Sequence, residues 1–217
     1  MSAEKGNKFW KTSISWIQPN KLIMRGYRLH ELIGNVSYGE MVYLMYRGEL
    51  PARKNGKLMD ALLVAGCDHS VTPPSVSSAR LVASGGVGLQ NAIASGVNAL
   101  GDYHGGAIEG AMEVFYDGLS RMEKGERSAD DVATEIVKEY RAEKKRIPGF
   151  GHHYHTDDPR VRRLFELAEE SGVDGKYVEF CRAIERAMEK EFGRKFATNI
   201  DGASAAIACE LGFDSRM

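Results

Sequence analysis

Residues Ile147-Pro148-Gly149-Phe150-Gly151-His152-His153-Tyr154-His155-Thr156-Asp157-Asp158-Pro159-Arg160 put three of the chain's six histidines into four positions. A Pro-Gly-Phe-Gly turn precedes them, and Asp-Asp-Pro-Arg opens the helix that follows. Aspartate before a helix caps it and suits its dipole, and proline fits the first helical turn. The stretch is therefore a functional turn set between helices, and the segments on either side agree. Val161–Ser171 and Tyr177–Glu191 read as amphipathic helices, as do Ser128–Arg141, with Ser128 as its N-cap, and Ala107–Met122.

Nearer the N-terminus, Ser37 and Glu40 form a capping box for a helix over Tyr38–Arg47 that stops at Gly48. Further helices are predicted over Leu29–Ile33 and Lys54–Gly66. Ser75–Ser84 and Gly88–Leu100 are rich in small residues, and such helices let backbones approach closely. Ala203–Leu211 is the last helix, after a link at Phe196–Asp201. Phe9–Ile23 reads as an irregular entry with a turn at Arg25-Gly26-Tyr27, and residues 1–9 as a disordered tail. With helical periods throughout and almost no period-2 alternation, the expected fold class is all-α.

The chain has 217 residues and a formal net charge of -1, so no global field favours nucleic acid or an acidic membrane. Its three cysteines, Cys67, Cys181 and Cys209, form no CxxC pair, which points to a reducing cytoplasm. No apolar run approaches the roughly 20 residues a bilayer demands, and Met1–Lys11 lacks the apolar core of a signal peptide.

Two chemistries suit the histidine cluster. His153-Tyr154-His155-Thr156-Asp157-Asp158 has the form HxHxDD, one residue from a binuclear zinc pattern. That pattern belongs at strand ends, which this chain lacks, and a helix start explains both aspartates; no metal is expected. An acid–base site draws instead on four turns, carrying Asp68-His69, His104, His152 and Asp201. Each lies at or near a glycine or proline by a helix boundary, where histidine transfers protons near neutral pH and a sheltered carboxylate acts on a carbon acid.

From about Trp10 onward these turns resemble the citrate synthase superfamily. Arg25-Gly26-Tyr27 with EMVYLMYRGELP (Glu40–Pro51) is similar to its N-terminal segment, and Asp68-His69 before Ser75–Ser84 to its oxaloacetate-binding histidine and following helix. His104-Gly105-Gly106-Ala107 matches HGGA, Pro148–His152 with Asp158-Pro159-Arg160 matches PGFGH…DPR, and Asn199-Ile200-Asp201 matches NvD. Trp10-Lys11-Thr12-Ser13-Ile14-Ser15 and Gly101-Asp102 favour the lyase branch, that of citryl-CoA lyase and the C-terminal module of ATP-citrate lyase.

The resemblance implies a large subdomain, about 10–115 and 196–217, and a small CoA-binding subdomain, about 116–195. It implies cleavage of citryl-CoA to acetyl-CoA and oxaloacetate. The alternatives are a citrate or 2-methylcitrate synthase, or an inactive CoA-binding subunit. Asp201 would exchange a proton with the acetyl methyl group, His104 would bond the thioester oxygen, and His152 would take the citryl hydroxyl proton. His69 and Arg160 would hold substrate carboxylates. Ile147, Pro148, Gly149, Phe150 and Gly151 would hold the coenzyme A adenine, with Lys144, Lys145 and Arg146 near its phosphates. Family members continue past the equivalent of Met217, so a C-terminal part is expected to be missing. The flat small-residue helices predict a homodimer or larger homo-oligomer.

Overall fold

The computed structural model describes residues 11–68, 70–152 and 155–217. The expected tail over 1–9, His69 and His153 lie outside the described residues. The described chain is mostly helical, with ten helices and one small sheet. It divides into two compact units that meet in sequence at Asp60 and Ala61.

The first unit holds the feature that the periodicity did not reveal. β1 (Ser15–Gln18), β2 (Lys21–Met24) and β3 (Tyr27–Arg28) form an antiparallel sheet in that order, with Trp16 opposite Ile23 and Met24 opposite Tyr27. The irregular entry is thus a meander. Its strands span four, four and two residues, too short to display an alternation. The turn at Arg25-Gly26 is present, with φ of 47° and 90°, both positive as a type I′ hairpin requires. Arg25 Nε also donates to the Met45 carbonyl at 3.0 Å, satisfying an orphan acceptor near a helix end.

A short α1 (Leu29–Leu32) leads to α2 (Tyr38–Arg47). The capping box is formed as read: Ser37 Oγ accepts from the Glu40 amide at 3.1 Å, and Glu40 accepts from the Ser37 amide at 2.7 Å. Asp60 Oδ1 accepts from the Gly39 amide at 2.8 Å, a further anion at that N-terminus. Asp60 belongs to α3 (Arg53–Ala65).

The second unit is built from α4 (Pro74–Ser84), α5 (Leu89–Asn98), α6 (Ala107–Gly125), α7 (Ala129–Ala142), α8 (Pro159–Ser171), α9 (Lys176–Phe192) and α10 (Ile200–Glu210). Its core lies among α6, α7, α9 and α10, where Phe115, Phe180, Ile136, Val137, Ile184 and Ile207 are inaccessible to solvent or nearly so. Phe115 meets Phe180 edge to face at 6.4 Å. Gly118 permits that approach, since a Cβ there would fall 2.1 Å from the Phe180 ring. Helix α10 starts at Ile200 with Asn199 as its N-cap, three residues earlier than the sequence suggested. Asp201 therefore sits in a helical first turn rather than in a link.

The pair α4–α5 is different in kind. Gly96 lies against the Ser75 carbonyl, where an added Cβ would stand 3.0 Å away, so the backbones are close, as the small residues implied. Yet no residue of α4 is buried. Among the described residues no helix is long and apolar enough to cross a membrane.

Candidate active site

The Pro-Gly-Phe-Gly turn is zipped to the segment just before α10. Gly151 donates its amide to the Ala197 carbonyl at 2.8 Å, and Asn199 donates to the Gly149 carbonyl at 3.0 Å. Phe150 and Thr198 form a bridge between these bonds. The Asn199 side chain closes the latch from both ends. Its Nδ2 donates to the Gly151 carbonyl at 3.0 Å, while its Oδ1 accepts from the amides of Asp201 and Gly202 at 3.0 and 3.1 Å. Two glycines make room for this contact. Gly149 has a φ of 87°, and a Cβ on it would lie 2.6 Å from the Gly202 Cα; one on Gly202 would lie 2.3 Å from the Gly149 oxygen. As a result, His152 and Asp201 leave the same latch, one past its first arm and one past its second. Asp201 also gains the electropositive end of α10.

Arg160, in the first turn of α8, grips the α8 N-cap. Its Nε and Nη2 donate to Asp158 Oδ1 and Oδ2 at 3.0 and 2.7 Å, and the Asp158 side chain is 2% exposed. Burial pushes the Asp158 carboxyl up, but the bonds and charge of Arg160 outweigh it, so it titrates below the usual carboxylate value. The guanidinium of Arg160 is held charged by Asp158 first, with a further contribution from Asp201. Arg160 and Asp201 therefore share one electrostatic neighbourhood. Nε and Nη2 are thus committed to Asp158, and Nη1 is the remaining donor group of the guanidinium.

His152 Nδ1 accepts from the backbone N–H of His155 at 3.1 Å, and the two imidazoles lie 4.5 Å apart. His104 is held from elsewhere. Its turn is closed by paired bonds with Gly101 at 2.9 and 2.8 Å and by the Gly106 amide on the Gly101 carbonyl at 2.9 Å. Its Nε2 is 2.8 Å from Ser75 Oγ, in the first turn of α4. Ser75 was read only as a small residue, and nothing in the sequence tied it to a histidine 29 positions away. Asn199 did carry a signal, since asparagine just before a helical Asp-Gly is a favourable N-cap.

Donor atoms of His152, His155 and Asp158 come within 4.8 Å of one another. This set differs from the HxHxDD pattern, in which Asp157 instead approaches Arg162 at 3.9 Å. Arg160 donates to both oxygens of Asp158, so a guanidinium already balances the charge of that carboxylate. Burial pushes the Cys181 and Cys209 thiols up to about 12, which leaves neither as a nucleophile.

Beside His152 opens a cavity of about 520 Å³, whose wall includes Ile147, Phe150 and Gly151 of the turn but neither Pro148 nor Gly149. Lys145 and Arg146 line it and Lys144 does not; Arg141, Arg194 and Lys195 complete a cationic rim. Arg141 pairs with Glu191, Lys145 with Glu143 and Lys195 with Glu185. Arg194 lies over the Phe196 ring at 4.5 Å, and Phe196 meets Phe192 at 5.2 Å. A pocket with aromatic walls and a cationic rim suits an aromatic base attached to phosphates.

A mostly helical chain with histidines and an aspartate gathered on turns, beside a pocket with a cationic rim, is the class that this geometry defines. The family model of the citrate synthase C-terminal domain matches residues 53–217, and the chain belongs to that family. Citryl-CoA lyase from Hydrogenobacter thermophilus superposes with a TM-score of 0.86 and 42% identity, covering 96% of this chain and 79% of that one. ATP citrate lyase from Methanothrix soehngenii, solved with citrate and coenzyme A, has the same fold at a TM-score of 0.80 and 20% identity over 95% of this chain and 33% of its own. The citrate/2-methylcitrate synthase of Bacillus subtilis is 30% identical over 82% of this chain and 46% of its own length. The chain thus spans less than half of the curated synthases it matches.

Proposed function

We propose that the protein is a citryl-CoA lyase, cleaving citryl-CoA to acetyl-CoA and oxaloacetate without a metal. The observation that carries this reading over condensation is the extent of the likeness to the Hydrogenobacter lyase, which takes in most of both chains. Coenzyme A would lie in the cavity beside Phe150, with its phosphates toward Arg146 and Arg194. Neither arginine has a carboxylate partner among the described residues.

Arg160, through Nη1, and His69 would hold substrate carboxylates. His104, oriented by Ser75, would donate to the thioester oxygen, where charge accumulates as the carbon–carbon bond breaks and its electron pair enters the enolate. His152 would face the oxygen that is hydroxyl in citryl-CoA and ketone in oxaloacetate. Asp201 would deliver the proton that turns the enolate into acetyl-CoA.

Condensation is the second reading, favoured by the synthase relatives. Incubation with citryl-CoA, and separately with acetyl-CoA plus oxaloacetate, tests both. Formation of oxaloacetate and acetyl-CoA from the first supports the lyase; release of free coenzyme A from the second supports a synthase. Binding of coenzyme A with turnover of neither mixture would point to a non-catalytic subunit.

The division into a large and a small subdomain, a cytoplasmic setting and a homodimer belong to the same proposal. The dimer is supported by the outer face of α5, where Leu89, Ile93 and Val97 form one helical stripe and are each 55–75% exposed.

A further inference from the structure

The bond between His152 and the His155 amide constrains the chemistry more than a side-chain bond would. A hydroxyl such as that of Ser75 donates or accepts, so it is compatible with either tautomer of His104. A backbone N–H only donates. The nitrogen that faces it must be an unprotonated acceptor, and at 3.1 Å that nitrogen is His152 Nδ1. The neutral ring then carries its proton on Nε2. A second proton, on Nδ1, would point at the His155 N–H, so the imidazolium is opposed by the same contact.

We propose that the His155 backbone amide is a positioning group that locks His152 as the Nε2–H tautomer, and that His152 serves as a hydrogen-bond donor to the substrate oxygen in both directions rather than as a base. This rests on the lyase reading for the identity of that oxygen, but not for the tautomer itself. In cleavage the hydroxyl proton then passes to the Asp201 carboxylate, and the carbon–carbon electron pair moves into the thioester enolate. Asp201 returns that proton to the enolate carbon and ends as the carboxylate it began as. His152 Nε2–H bonds the oxygen throughout and gains no proton.

The lock is tested by nitrogen NMR on the full chain labelled at histidine, the His152 signals being identified by their loss in His152→Gln. The expected spectrum at neutral pH has an acceptor-type Nδ1 and a protonated Nε2. His155→Ala keeps the amide and should keep that signature; His155→Pro deletes the N–H and should lose it, giving mixed tautomers. A protonated Nδ1 in the unaltered protein would overturn the proposal. So would loss of the signature in His155→Ala or its persistence in His155→Pro. The spectrum of the unaltered protein decides the matter even if the proline variant does not fold, and it does so independently of turnover.

Discussion

The turn bearing His152 is tied to chain on both sides. It is bridged to residues 197–199, its Phe150 packs edge to face on the inaccessible Phe115 at 6.5 Å, and the nearby Asp158 is almost wholly buried. The turn bearing His104 is closed by its own backbone bonds to Gly101, and its side chain meets Ser75. That partner belongs to a helix with no buried residue, packed against α5, whose outer face carries an exposed apolar stripe. The half of the site around His152 and Asp201 is thus organised by the chain's own core. The half around His104 rests on a helix pair that leaves an apolar face exposed.

Four substitutions probe that contrast. Asp201→Asn on the core-held half should have the largest effect, a loss of about 10²–10⁴-fold in turnover, as expected for removing a general acid–base group. Coenzyme A binding, followed by calorimetry, should be nearly unchanged. Val97→Glu places a charge in the exposed stripe of α5. If a second copy covers that stripe, the uncompensated charge costs several kcal/mol, and sedimentation should show dissociation together with loss of activity. A wild-type protein that sediments as a monomer at all concentrations would remove this half of the contrast.

Asp158→Asn should destabilise the folded chain by about 1.5–3 kcal/mol at neutral pH, the range for a hydrogen bond to a charged group. The folded carboxyl titrates below its unfolded value, so its contribution is complete above the unfolded pKa of about 3.9 and fades as pH falls through the lower folded value. Denaturant titrations should therefore show the deficit closing in acid, and a deficit independent of pH would contradict the ion pair. Ser75→Ala should be the mildest, costing about 1 kcal/mol of transition-state stabilisation, or several-fold in turnover. Equal activity with and without the hydroxyl would mean that the Ser75 bond does not orient His104 for reaction.

Much of the fold was legible because its signals are local. Ser37 with Glu40, and Ser128 before Ala129, mark helix starts that the structure reproduces. The sheet was not legible, since its strands are too short for a period and Trp16, Ile17 and Leu22 remain exposed. On the site, the turns could be read but not their partners. That Gly149 and Gly202 touch, or that Asn199 bonds both Gly151 and the start of α10, depends on segments about fifty residues apart. Likewise, the helix start read at Asp157-Asp158-Pro159 did not reveal that Arg160 donates to both oxygens of Asp158.

The most direct measurement is single-turnover incubation of the full chain with citryl-CoA, with oxaloacetate and acetyl-CoA quantified together. The expected result is their appearance in equal amounts, abolished in Asp201→Asn. Intact citryl-CoA, or hydrolysis to citrate and free coenzyme A, would contradict the lyase.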